Sequence, residues 1–340
     1  MCFASIAAAS PRKLSVNSAT ARIIRGCHRV FTDFPLRRAA GPAGPPAHAA
    51  AAHVLNGAAR LLAALPLRVV HGLGAVLGWA TYLASPTYRR RLRANLAQAG
   101  LDAPPLRRAA VGHTGRQVVE ALWIWQRPPA DLLGMVDAQD IARMKAAQRP
   151  DAPTVFLTPH LGCFEIISKV YAAHAGADTR VMTVLYRAAR RPAVEALMAQ
   201  GRALPGLQLA PADMSGVRLL MRALRDRQVV GILPDQVPSR GEGVWAPFFG
   251  RPAYTMTLSA RLAHSLGANV VFVYGERLAR GRGFRIHVQP LTEPLSGEPQ
   301  HDAALLNRTL EGIVRRLPAQ YLWGYNRYKV PAGAAPPPTP

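Results

Sequence analysis

The sequence predicts an α/β fold, a central and mostly parallel sheet flanked by helices, with a membrane-associated helical segment ahead of it. Three observations lead there. After Asp151, short apolar or β-branched runs at 154–158, 180–185, 229–233 and 269–274 alternate with helix-period windows at 164–175, 191–203, 215–225 and 255–266. That alternation is the pattern of strand–helix units around a parallel sheet. Upstream, Val111, Gly115, Val118, Val119, Leu122 and Trp125 recur at helix spacing between Arg107 and Gln126, with Glu120 among them. Earlier still, the stretch from Val54 to Ala84 is almost uncharged, and 69–84 carries no formal charge at all.

Taken in order, residues 1–50 mix Arg, Ala, Gly and Pro and end in Gly41-Pro42-Ala43-Gly44-Pro45-Pro46, too few periodic apolar residues to pack a core. They are expected to form a disordered basic tail. Its composition fits both a mitochondrial-type presequence and an over-extended start codon, and lacks the tripartite pattern of a secretory signal. Residues 54–100 are expected to anchor the chain to a membrane. The uncharged run falls short of the ~18–20 apolar residues of a firm span, so shallow or hairpin-like insertion competes with a single crossing. A buried helix of the soluble domain is the third reading. The flank favours lipid: Tyr88-Arg89-Arg90-Arg91-Leu92-Arg93 follows at once, with Trp79, Tyr82 and Tyr88 placed as interfacial aromatics. Residues 101–330 are expected to form the main domain, on the cytoplasmic side by the positive-inside rule, and 331–340 a disordered Pro-rich tail.

Composition bounds the function classes. Hydrophobic residues at 49% and charged ones at 18% fit a globular chain, neither disordered nor polytopic. A formal charge of +23, from 42 Lys and Arg against 19 Asp and Glu, draws anionic partners: nucleic acid, lipid headgroups or an acidic protein. Basic residues interleaved with stacking aromatics are missing, so no specific nucleic-acid partner is expected. Cys2, Cys27 and Cys163 have no metal-ligand spacing and suit a reduced compartment.

In a parallel sheet, chemistry gathers where strands hand over to helices. His160, Tyr186-Arg187 and Asp235-Gln236 each follow a predicted strand and should converge. His160 and Glu165 are five residues apart, about 140° around a single helix, so His160 must precede the helix that Glu165 opens. With Leu161-Gly162 as the bend, Glu165 is expected to return and hydrogen-bond one imidazole nitrogen, leaving the other to take a proton from an alcohol. Taken alone, the pair reads first as a strand-end histidine and a helix-start carboxylate with no chemical role. Cys163 reads as an acyl-carrying nucleophile or as a small buried hydrophobe. The H-E-x-x-H pattern of zinc sites is absent.

Pro159-His160-Leu161-Gly162-Cys163-Phe164-Glu165 resembles the H-x4-[DE] box of the glycerolipid acyltransferases, in the form found in the bacterial lipid A late acyltransferases. Leu185-Tyr186-Arg187 is similar to that family's second box. Leu233-Pro234-Asp235-Gln236, with the run from Gly243 through Phe248-Phe249-Gly250 to Ala253, is similar to the third. Gln320 to Lys329 resembles the terminal W-x-H-x-R-[FW]-K signature, and Tyr88 to Leu96 the basic N-terminal segment, so the likeness covers about residues 55–330. Tyr325 stands where many members have His, and Ala188 where Pro is common.

The resemblance implies a His160 and Glu165 catalytic pair, acyl carrier protein or acyl-CoA as donor, a lipid A precursor as anionic acceptor, no cofactor or metal, and residence at a bacterial inner membrane. Tyr186, Arg187, Asp235, Gln236, Phe248, Phe249 and Gly250 are the expected substrate-binding residues, with Arg187 forked onto a phosphate and the Phe pair walling an acyl channel. A lysophospholipid or ornithine-lipid acyltransferase would use the same chemistry on a smaller acceptor. A basic membrane protein or nucleic-acid-binding protein is the reading without catalysis.

Overall fold

The computed structural model describes residues 46–174, 180–189, 191–238 and 242–338, with side chains from residue 55 on. The expected disordered tail lies outside it up to residue 45. Helix α1 (Pro46–Ala64) starts inside the last few residues assigned to that tail. Four more helices lead to the sheet: α2 (Leu67–Ala84), α3 (Pro86–Gln98), α4 (Pro104–Gln126) and the short α5 (Pro129–Leu133), followed by α6 (Ala138–Ala146). Prolines at the first turns of α3, α4 and α5 supply a pre-set φ where no amide donor is needed.

The sheet then builds from β1 (Thr154–Leu157), α7 (Glu165–Ala173), β2 (Met182–Tyr186), α8 (Pro192–Arg202), β3 (Leu207–Pro211), α9 (Met214–Arg225) and β4 (Val229–Ile232). After a hairpin, β5 (Gly243–Phe248) and β6 (Arg251–Met256), come α10 (Leu258–Ser265), β7 (Asn269–Arg277), β8 (Phe284–Pro290) and α11 (Pro299–Arg316). The order is β3-β2-β4-β1-β7-β8, parallel throughout except for β8 against β7. The expected mostly parallel sheet is therefore observed, together with β3, β8 and the hairpin, which the apolar runs did not mark. The window expected to be helical from 255 begins at Leu258, because Thr255 and Met256 pair with Val244 and Gly243.

Both faces of the sheet are covered. Val155, Leu157, Val230, Ile232 and Phe272 point into a core shared with α3, α9, α10 and α11, whereas Phe156, Val229, Val271 and Val273 point into one shared with α2, α4, α6 and α7. Burial on two sides is why these strands read as unbroken apolar runs rather than alternating ones.

Helix α2 corrects one expectation: among the described residues, no helix is long and apolar enough to cross a membrane. Its inner face, Leu67, Val70, His71, Gly74 and Gly78, is buried. The packing partner is α4, and the contact is backbone to backbone. A Cβ on Gly115 would lie 2.0 Å from the Gly74 carbonyl oxygen and one on Gly78 2.2 Å from that of Val111. Only glycine permits such an approach, the small-x-x-x-small device of close helix pairs. The outer face is different. Val69, Leu73, Val76, Trp79 and Leu83 on α2, with Leu61 on α1, are exposed, a row of large apolar groups at helix spacing.

Candidate active site

Strand β1 ends in a fixed position at the centre of the sheet, and the chain leaves it through Thr158-Pro159-His160. The turn that follows is pinned at successive residues. Leu322 N–H donates to the His160 carbonyl (3.1 Å), Gly162 N–H to the Gln320 carbonyl (2.9 Å) and Cys163 N–H to the Gly275 carbonyl (2.8 Å). Gly162 sits at φ +59° with the Gly275 carbonyl oxygen 2.0 Å from where a Cβ would be, so no other residue fits this bend without strain.

Because β4 is the neighbour of β1, the residues after β4 face His160. Asp235, only 3% exposed, accepts two hydrogen bonds from it: from the backbone N–H at 2.9 Å and from Nδ1 at 2.8 Å. A carboxylate only accepts, so Nδ1 carries a proton, and in the neutral form of the imidazole the lone pair then lies on Nε2. Gln236 donates its amide N–H to that Nε2 at 3.1 Å. Burial opposes ionisation of Asp235, but the His160 charge and its hydrogen bonds hold the carboxyl below its ordinary value. The Phe164 ring lies 5.0 Å from the imidazole, centroid to centroid.

The geometry differs here from the sequence expectation. Glu165 opens α7 as anticipated, but its carboxylate turns away from the imidazole. It takes Trp125 Nε1–H at 3.0 Å and a two-pronged contact from Arg202, through Nε at 3.1 Å and through Nη2. The orienting carboxylate on Nδ1 is thus Asp235, 75 residues away in sequence. The cause is steric and electrostatic: the pinned bend aims His160 across to β4, and the buried Glu165 is paired with the Arg202 guanidinium. Burial raises the Glu165 carboxyl, and the Arg202 charge and hydrogen bonds outweigh it, so Glu165 stays ionised. His160 enters only as a weaker charge at longer range.

Arg202 and Trp125 were not foreseen. One local sign was available, Gly201, whose missing side chain lets α8 press against Trp125, where a Cβ would meet the Trp125 Cβ at 2.3 Å. The Arg202 guanidinium also lies over the Trp125 ring, 5.6 Å from its centroid. Tyr186, at the end of β2, feels the charges of Glu195 and Arg202, and burial raises its phenol first of all. Arg187 is close enough for its charge to act on Tyr325. The Tyr325 hydroxyl accepts from Val237 N–H at 2.9 Å, which places this phenol beside Gln236.

Phe248, Phe249 and Gly250 form the tip of the β5–β6 hairpin, with Phe249 and Gly250 as the two-residue turn at φ +48° and +73°. Both rings are buried. Phe249 packs on Trp323 and Phe248 on Tyr321, and the Phe249 backbone is tied to Glu311 at 2.7 Å and Gln98 at 2.8 Å. In the terminal box, Arg327 is a core residue, donating to Tyr254 O and Thr255 Oγ1 at 2.8 Å each. Cys163 is 3% exposed, and burial followed by the Glu120 charge pushes its thiol well above the ordinary range. A thiol held protonated makes a poor nucleophile.

An imidazole whose Nδ1 is held by a buried carboxylate, at the carboxyl edge of a parallel sheet, has the chemistry to take a proton from a hydroxyl. The family model for bacterial lipid A biosynthesis acyltransferases matches residues 47–330. The chain belongs to that family and is an acyltransferase. It is 25% identical over 216 residues to the lipid A biosynthesis palmitoleoyltransferase of Escherichia coli K12, covering 63% of this chain and 68% of that one. With the lauroyltransferase of the same organism it shares 27% over 147 residues, 43% and 47% of the two chains. A lipid A biosynthesis acyltransferase of Haemophilus influenzae is 25% identical over 142 residues, 42% and 44% of the two.

Proposed function

We propose that the protein moves a fatty acyl chain from an acyl carrier protein or CoA thioester to a hydroxyl of a lipid A precursor, with His160 as general base. The observation that carries this reading is the Nδ1 bond to Asp235, which leaves Nε2 as the proton acceptor. An acceptor hydroxyl displaces the Gln236 amide from Nε2 and loses its proton as its oxygen attacks the thioester carbonyl. Asp235 stabilises the imidazolium that forms, and the imidazolium returns the proton to the departing thiolate. The freed Gln236 N–H is placed to steady charge on the reacting oxygens. Glu165 holds Arg202 beside Tyr186, where a cation serves an anionic substrate. Arg187 next to Tyr325 is the second cation for a phosphate. The Phe248–Phe249 tip supports this mouth from behind by bracing the 321–325 loop.

The protein works at a membrane surface in this reading. The outer face of α2 offers lipid a row of large apolar groups, and Arg90 and Arg93, exposed on α3, follow it. That arrangement suits a helix lying within one leaflet on the cytoplasmic side of a bacterial inner membrane. The test is to incubate membranes carrying the protein with acyl carrier proteins of several chain lengths and candidate acceptors, then identify products by mass spectrometry. Transfer to a lipid A precursor that is lost in His160→Ala is expected. Absence of any His160-dependent transfer would overturn the proposal, and transfer confined to lysophospholipid or ornithine lipid would replace the acceptor.

A further inference from the structure

Packed against the turn that carries His160 lies a buried polar cluster that the reaction described above does not use. Its centre is Arg277, at the end of β7 and 4% exposed. Every arm of the guanidinium is committed. Nε donates to Glu120 at 2.5 Å, Nη1 to His113 Nδ1 at 3.1 Å, and Nη2 to the carbonyl of Gly162 at 3.0 Å. Gln117 Nε2 donates to the same carbonyl at 3.4 Å. Gln320 closes the ring: its side-chain oxygen accepts Arg277 N–H at 2.9 Å, its amide donates to Arg277 O at 3.1 Å, and its backbone carbonyl takes Gly162 N–H.

A guanidinium buried this deeply costs several kcal/mol in desolvation and is held only when fully paired. Glu120, 1% exposed, supplies the counter-charge. An apolar filling of the same space would serve the core at least as well. What an apolar filling cannot do is grip a carbonyl. The carbonyl gripped is that of Gly162, two residues after His160, in a bend at φ +59° that is otherwise pinned by backbone bonds and, at His160, by Asp235. Rotation of that peptide unit swings the His160 side chain relative to Asp235, and a displacement of ~1 Å at a reacting group can cost about 100-fold in rate.

We infer that Arg277, fixed by Glu120 and seconded by Gln117, is a positioning residue for the reaction: it clamps the Gly162 carbonyl and thereby sets the imidazole of His160 against Asp235. This rests on His160 being the base. All three side chains are buried.

The test uses the full chain, purified in detergent, with steady-state kinetics against donor and acceptor separately. Arg277→Ala is expected to lower kcat between about 10- and 100-fold with both KM values within about twofold. Methylguanidinium at millimolar concentration, which fits the vacated space, should restore part of the lost kcat. Gln117→Leu removes one of the two donors and keeps the ion pair, so it should lower kcat a few-fold with KM unchanged. It carries the test if Arg277→Ala does not fold. A purely structural role would reduce the folded fraction and leave kcat per folded molecule unchanged, which overturns the inference. So does Gln117→Leu or Arg277→Ala at full kcat. If His160→Ala itself retains turnover, the general-base reading fails and the clamp fails with it, a result distinguishable from loss of the clamp alone.

Discussion

Replacing Asp235 by Asn tests which carboxylate orients the base. Asn keeps the shape and one acceptor, but its NH2 cannot accept. If the amide oxygen stays on the His160 backbone N–H, the NH2 faces Nδ1, forces Nδ1 to accept, and drives the proton to Nε2, the wrong nitrogen for a base. The lost term can be sized. An imidazolium and a carboxylate ~4 Å apart between charge centres, at an effective dielectric of about 20, attract by ~4 kcal/mol. That corresponds to roughly 1,000-fold in kcat, and a tautomer error raises the loss toward ~10⁴-fold. The assay is steady-state acyl transfer with melting temperature measured alongside. Glu165→Gln should behave differently, leaving Arg202 buried with half its partner gone and costing stability and substrate binding more than kcat. Asp235→Asn within tenfold of wild-type kcat, together with a Glu165→Gln that abolishes kcat but folds normally, would return the orienting role to Glu165 and refute the argument.

Other outcomes follow from the packing. Cys163→Ala should leave kcat within a few-fold of wild type, because the buried thiol is held protonated; complete loss in a folded variant would instead indicate an acyl-cysteine intermediate. Burial, followed by the charges of Arg277 and Arg116, pushes the His113 imidazole down to about 2. Below about pH 6.5 the unfolded chain therefore binds a proton that the folded one refuses, so stability falls as pH falls, by up to ~1.4 kcal/mol per unit. Denaturant titrations of wild type and His113→Gln between pH 7 and 4 should show the slope flatten in the variant. Gly115→Leu should destabilise the chain by about 3 kcal/mol or more, since its Cβ alone would meet the Gly74 carbonyl at 2.0 Å; an unchanged melting temperature would disprove the backbone contact.

Much of this site could be read from sequence because the strands are buried on both faces and announce themselves. Placing His160 before a helix, and Tyr186-Arg187 and Asp235-Gln236 at equivalent strand ends, needed only the five-residue spacing and the alternation of elements. The order β2-β4-β1 then makes those three ends neighbours. What could not be read was which carboxylate would meet the imidazole. Glu165 is near in sequence and Asp235 near in space, and the choice depends on the bend at Gly162, which in turn depends on Gln320 and Gly275 across the fold. Arg202 and Arg277 were hidden for the same reason: a paired buried Arg looks in sequence like any of the many surface ones. Gly74 and Gly78 lengthen the uncharged run in the sequence, but in the fold they serve a helix contact. Phe249-Gly250 forms a tight turn, which a glycine following bulky residues between two strand-like runs also marks in the sequence.

The glycine contact between α2 and α4 has a consequence for acceptor choice. Two helices joined backbone to backbone cannot slide or roll without collision, so the apolar face of α2 is fixed relative to α4. The same α4 reaches the catalytic elements ten residues further on, where Trp125 holds Glu165. At ~1.5 Å per residue, Gly115 and Trp125 are about 15 Å apart along a rigid rod. If α2 lies in the lipid as proposed, the reacting imidazole rides at a constant height above the acyl region. The enzyme would then measure its acceptor as a depth gauge does, choosing among hydroxyls by how far each stands from the hydrocarbon as well as by its chemistry.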